Sequence, residues 1–238
     1  MYSHNIKLKG IVRYIYKKMG KAIKDYQMLE NKDRILVVVS RFPFSLALLE
    51  LFMMRKKRIP IEFEIFACLV SAPFVKINQI KLEKYIKFLK VNFIWHRLDI
   101  SLDNEERKFW CIPQVRELFF EIAQENRCNK IALDDCLDDV AEEILVSFLF
   151  EGEIETNKPK IDLPSFSILR PLCYVSKKDL IDFSKKINIP YLDYESLLKP
   201  DPYKKICKEI IIKIEERCPF VKKNIFRALG RIRKDYLL

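Results

Sequence analysis

The stretch VVVSRFPFSLALL, residues 37–49, decides the fold. A β-branched run ends at Ser40, four residues follow, and an apolar helical pattern begins near Ser45. This is strand–turn–helix order, the geometry on which many proteins hold nucleotide phosphates. Such turns carry glycines, so that backbone N–H groups approach the phosphate oxygens; here the turn reads Arg41, Phe42, Pro43, Phe44. The chain has 4 glycines, Gly10, Gly20, Gly152 and Gly230, and none falls at a strand-to-helix turn. Pro43 has no N–H to donate and suits the first helical position. Phe42 and Phe44 occupy volume that a triphosphate needs. On local chemistry the turn reads as a βα connection with apolar filling.

Outward from that stretch the pattern alternates. RILVVVS is a buried strand and SLALLELFMMRKK a helix; IEFEIFACLV is a strand and KINQIKLEKYIKFLK a helix. NFIWHRL is a third strand with PQVRELFFEIAQEN its helix, and KIAL a short strand before the helix DDVAEEILVSFLF. Near-continuous apolar strands separated by helices predict a parallel sheet covered on both faces. Residues 151–168 read as a polar connection to a short strand at SILR, after which SKKDLIDFSKKI opens on a serine cap. The first thirty residues predict one or two amphipathic helices, and the tail from Asp201 two more. The expected organisation is a helical segment at 1–30, an α/β domain at 31–190 and a helical tail at 191–238.

Composition bounds the function. Half of the 238 residues are hydrophobic and 32% are charged, a globular balance. No apolar run approaches the ~18 residues of a membrane span, and the N-terminus lacks the apolar stretch of a signal peptide. A cytoplasmic protein without membrane association is expected. The 7 cysteines form no C-x-x-C pair, and with 2 histidines a Cys/His zinc site is not expected. The net charge of +11 favours a polyanionic partner such as RNA, although abundant lysine throughout the chain accounts for it equally.

In an open parallel sheet, ligands bind at the C-terminal strand ends, so SRFPFS, VSAPF and DDCLDD are the segments to test. In DDCLDD, Asp134, Asp135, Asp138 and Asp139 suit a magnesium ion. They suit a helix cap better, with Asp139 and Glu142 at capping-box spacing. The last helix carries Lys223, Arg227, Arg231 and Lys234 along one line, a row that could neutralise successive phosphates.

The order of KKMGKAIKDYQMLENKDRILVVVS, SLALLELF, KIALDDCLDDVAEEILVSFLFEGEI, ILRPLCYVSKKDLIDF and PFVKKNIFRAL resembles the tRNA 2-thiocytidine synthetase family. That family belongs to the PP-loop, or N-type ATP pyrophosphatase, superfamily, with the tRNA(Ile)-lysidine synthetases. The resemblance implies a Rossmann-like α/β fold of the adenine nucleotide alpha-hydrolase type with helical extensions at both ends. It implies nucleotide contacts from Ser40, Arg41, Ser45, Asp138 and Asp139; the expected RNA contacts are Arg170 and the basic row Lys223, Arg227, Arg231 and Lys234.

Departures fall on the chemistry. The family loop S-G-G-K-D-S keeps here only its serines, Ser40 and Ser45. Of G-H-H-R-D-D only the acids Asp138 and Asp139 remain, with Glu142 following. Of the cluster cysteines only Cys111 matches, Gln114 standing where the second would be. Arg170, Pro171 and Leu172 keep the family's R-P-L.

The expectation is therefore a catalytically degenerate relative that binds tRNA or a partner in tRNA modification, without cofactor or metal and without an iron–sulfur cluster. A protein partner or a homodimer is admitted. The alternatives are an active ATP- and magnesium-dependent tRNA-modifying enzyme, of thiolation or lysidine type, and a protein-interaction module. No catalytic residue is assigned.

Overall fold

The computed structural model describes residues 6–40, 42–71, 75–99, 112–190, 194–196, 201–231, 233 and 235. Strands β1 (Asp33–Val38), β2 (Phe63–Ser71), β4 (Asn92–Arg97), β5 (Lys130–Ala132), β6 (Lys160–Asp162) and β7 (Ser167–Leu169) form one sheet in the order β4-β2-β1-β5-β7-β6. β1 pairs in parallel with β2 on one side and β5 on the other, and only β6 runs antiparallel, against β7. A strand flanked on both sides and covered on both faces can be apolar throughout, which is why RILVVV shows no alternation.

Helices α1 (Gly10–Asp25), α2 (Phe44–Lys56), α3 (Gln79–Leu89) and α6 (Lys177–Lys186) bury one core with residues such as Ile15, Met19, Leu48, Phe52, Tyr85 and Phe183. Helix α4 (Pro113–Glu125) covers the other face of the sheet, with Val115 and Phe119 over Leu36 and Ile131. α5 (Leu137–Val146), α7 (Pro202–Glu215) and α8 (Val221–Ala228) share a smaller cluster of Ala141, Ile211 and Val221. Gly20 of α1 faces Arg55, where a Cβ would collide with the guanidinium. Arg55 itself is buried, donating from Nη2 to the Tyr16 carbonyl at 2.9 Å.

Several expectations shift. Residues 6–30 hold one helix, within the one or two expected, but α5 ends in a π-helical turn, Ser147–Glu151, where one long helix was expected. The connection before SILR contains β6, and β3 (Val75–Ile77) pairs antiparallel with β8 (Tyr194–Ser196) in a separate ladder that the apolar pattern did not announce. α8 stops at Ala228, short of the length expected for the last helix. No helix among the described residues is long and apolar enough to cross a membrane.

Glu50 sits inside α2 on a buried turn, accepting a hydrogen bond from Tyr85 Oη at 2.6 Å. Burial raises its pKa; the Tyr85 hydrogen bond and the Lys57 charge oppose this and do not cancel it. The folded state therefore holds the proton more tightly than the unfolded chain. The stability it contributes is complete below the ordinary glutamate range and falls as pH rises through the folded value. Glu50→Gln, whose amide oxygen still accepts from Tyr85, is expected to raise the thermal midpoint by about 2–4 °C at neutral pH. The gain should vanish below pH ~4. A Glu50→Gln midpoint below that of the parent protein at neutral pH would contradict this account.

Candidate nucleotide turn and basic cavity

Three features gather at the C-terminal edge of the sheet: the turn after β1, the acidic segment after β5, and a cavity walled by α1 and α8.

At the turn, Ser40 is half-buried and Ser45 wholly buried in the first turn of α2. Pro43 is the residue preceding the helix, one position earlier than expected, and its carbonyl accepts from Ala47 N at 2.9 Å. Phe42 and Phe44 pack against the core that α2 buries. The apolar filling expected of this turn is its observed state, while Arg41 lies outside the described residues.

The acids after β5 are engaged within the fold. Asp139 Oδ2 accepts from Cys136 N at 3.0 Å and from Cys136 Sγ at 3.1 Å, so Cys136 and Asp139 form the capping box of α5. This corrects the expected Asp139–Glu142 box by three positions. Lys177 Nζ approaches Asp139 at 3.3 Å and Glu142 at 3.1 Å, and Lys177 N donates to Asp138 Oδ2 at 2.8 Å. Lys222 Nζ meets Asp138 at 2.9 Å and Glu215 at 2.7 Å. Burial alone would lower the pKa of both lysines. Asp139 and Glu142 outweigh it for Lys177, and the hydrogen bonds that Lys222 donates to Glu215 and Asp138 outweigh it for Lys222, so both rise. Burial, then Asp139 and Asp138, push the Cys136 thiol well above its ordinary value and keep it protonated.

Arg170, expected to face RNA, is 2% exposed. Its Nε donates to Asp135 Oδ2 at 3.0 Å, Nη1 to the Lys158 carbonyl at 2.9 Å, and Nη2 to Asn157 Oδ1 at 3.1 Å. It braces the 157–158 segment against the β5 end, which differs from the expectation of a guanidinium open to RNA.

The basic cavity holds about 680 Å³. Lys223, Arg227 and Arg231 line it from α8 and the residues beyond, and Lys18 and Lys21 from α1. Lys21 pairs with Asp25 at 2.6 Å. Among the described residues no acid lies within ion-pair distance of Lys18, Lys223, Arg227 or Arg231. Burial lowers the pKa of Lys18, and the charges of Lys223 and Arg227 add to the effect; Asp179 opposes it. This is a site that concentrates positive charge. Lys234 lies outside the described residues. Lys18 and Lys21 were missed because α1's lysines read as its solvent face; which of them meets α8 is set by tertiary packing.

No family model matches the chain. A curated tRNA-cytidine(32) 2-sulfurtransferase of Geotalea uraniireducens is 30% identical over 237 residues, 94% of this chain and 93% of that protein. A tRNA-cytidine(32) 2-sulfurtransferase 1 of Francisella tularensis is 28% identical over 241 residues, 97% of this chain and 90% of that protein. Among solved structures, the U34-tRNA thiolase NcsA from Methanococcus maripaludis, with its 4Fe-4S cluster, superposes with a TM-score of 0.77 at 16% identity. That match covers 93% of this chain and 78% of NcsA. An NAD+ synthetase from Burkholderia pseudomallei matches with a TM-score of 0.50 at 11% identity, over 95% of this chain and 90% of that one. The Rossmann-like PP-loop fold expected from the sequence is thus observed.

The same matches overturn the expectation of no cofactor and no iron–sulfur cluster: NcsA is described with a cluster on this fold, and the curated relatives are named for sulfur transfer to tRNA. The ligand set is not found among the described residues, where no group of three or more His, Cys, Asp or Glu is placed to hold a metal ion. The thiols of Cys68 and Cys173 are pushed by burial up to about 12, and that of Cys128 to about 11. Cys111 lies outside the described residues.

If the acids after β5 serve packing, Asp138→Asn leaves Lys222 and the Lys177 amide poorly matched. A loss of about 1–3 kcal/mol is expected in urea unfolding, with or without magnesium. Unchanged stability would contradict this assignment.

Proposed function

The chain belongs to the tRNA-cytidine(32) 2-sulfurtransferase family, and we propose that it acts in tRNA modification as a tRNA-binding member whose own adenylation chemistry is degenerate. The observation that carries the reading is the basic cavity, in which Lys18, Lys223, Arg227 and Arg231 converge without carboxylate partners within ion-pair distance among the described residues. Clustered cations without neutralising acids are unfavourable unless a polyanion completes them. The net charge of +11 adds long-range attraction for the same partner. Degeneracy is supported by the turn after β1, where Pro43 removes one amide donor and Phe42 and Phe44 lie on the core. Each lost donor at a charge-stabilising loop costs about 10²–10³ in rate.

Two measurements test it. Lys223→Glu, Arg227→Glu and Arg231→Glu together should weaken binding of a tRNA transcript at least about 30-fold and make the salt dependence of log K shallower by about 2. Unchanged affinity and slope would refute the tRNA-binding reading. Pyrophosphate release from Mg-ATP in the presence of tRNA should run at least about 100-fold slower than for the Geotalea uraniireducens relative. Comparable rates would instead favour a working enzyme with an atypical loop.

A further inference from the structure

The cavity between α1 and α8 has two kinds of wall. One is cationic, as described. The other is aromatic: Tyr174, in the loop after β7, meets Phe226 of α8 edge-on, with ring centroids 5.4 Å apart, and Tyr26 at 6.0 Å. The Tyr174 ring is held in place, its hydroxyl lying 3.0 Å from Asp25 Oδ2 and 3.3 Å from Tyr26 Oη. Lys21 Nζ lies 5.6 Å from its centroid. Thr156, half-buried on the connection that also lines the cavity, has its Oγ1 closed off without a hydrogen-bond partner among the described residues. An orphaned buried hydroxyl costs free energy unless a ligand satisfies it. The volume of about 680 Å³ falls within the ~300–1,000 Å³ of small-molecule sites. Ser40, Phe42 and Phe44 of the turn after β1 do not line this cavity, while Leu137 of the segment after β5 does.

We propose that the cavity receives one unstacked nucleotide of a bound RNA strand, its base against Tyr174 and Phe226 and its phosphate among Lys18, Lys223 and Arg227. The proposal rests on the tRNA-binding reading above and adds the recognition mode. Bare phosphate would need no aromatic wall; an unstacked base does, since stacking on aromatic rings is how single-stranded RNA is held. A strand fits better than a free mononucleotide because the cations continue past one phosphate. Lys223 and Arg227 stand one turn apart, about 6 Å along the axis, and Arg231 follows beyond the helix end. Glu155, also on the wall, offers an acceptor for a base amino group.

The test uses the full chain and a single-stranded RNA of about 12 nucleotides, within the ~4–16 such grooves occupy, with heparin as a polyanion that has no bases. Tyr174→Leu should weaken RNA binding about 10- to 100-fold while leaving heparin binding and the salt slope unchanged, and Tyr174→Phe should restore RNA binding. RNA affinity unaltered in Tyr174→Leu overturns the proposal. Should Tyr174→Leu lose heparin as well, Thr156→Val decides. It should bind RNA about 2- to 10-fold more weakly at an unchanged or raised thermal midpoint, and full RNA affinity in that variant overturns the proposal. Displacement of the RNA by millimolar Mg-ATP would assign the cavity to free nucleotides and overturn it too. Failure of the underlying reading looks different: the parent protein would then bind RNA no better than its triple charge-reversal variant.

Discussion

The arrangement depends on two aspartates at the start of α5. Asp138 and Asp139 are buried, and a buried carboxylate is tolerable only when paired and hydrogen-bonded. Their partners come from far along the chain: Lys177 at the head of α6 and Lys222 in the first turn of α8. One pair of acids therefore closes the end of α5, ties α6 to it, and draws α8 down beside it. α8 is too short to hold itself by propensity; helices of this length gain their stability from packing. With α8 fixed through Lys222, the next residue, Lys223, and the one a turn later, Arg227, are directed to the cavity shared with α1. The charge-concentrating site is a consequence of the clamp.

The same clamp bears on the nucleotide turn. In a site that holds magnesium and phosphate, acids at the strand end are left for the metal. Here Asp138 and Asp139 answer lysines, while Asp135 answers Arg170. Across the strand gap, the turn after β1 puts aromatic rings on the core where glycine amides would otherwise face a phosphate. Both halves of that edge have the chemistry of packing. The electropositive and aromatic chemistry is concentrated elsewhere, between the first and last described helices.

The sheet was legible because its central strand is apolar from Ile35 onward and its helices carry helical spacing; RILVVV and SLALLELF admit little else. The short elements were not. Lys160–Asp162 and Tyr194–Ser196 are three-residue strands whose pairing partners, not their composition, make them strands. The π-helical turn at Ser147–Glu151 was hidden because SFLF continues an apolar run that suits either helix. At the site, the basic row Lys223, Arg227 and Arg231 could be read from its spacing. Lys18, Tyr174 and Thr156 could not, since each belongs to a different element and only packing brings them together. Arg170 shows the converse: a charged residue reads as exposed unless its partners are known, and Asp135, Asn157 and Lys158 are visible only in the fold.

The central claim is that RNA lies against the cavity between α1 and α8. The most direct measurement is photo-crosslinking of a tRNA transcript carrying 4-thiouridine to the full chain, with the attached peptides mapped by mass spectrometry. Crosslinks are expected to concentrate on the peptides containing Lys18, Tyr174 and Lys223–Arg231, and to fade as salt is raised. Crosslinks gathered instead on the opposite end of the sheet, around Lys32, Lys56 and Glu64, would contradict the account.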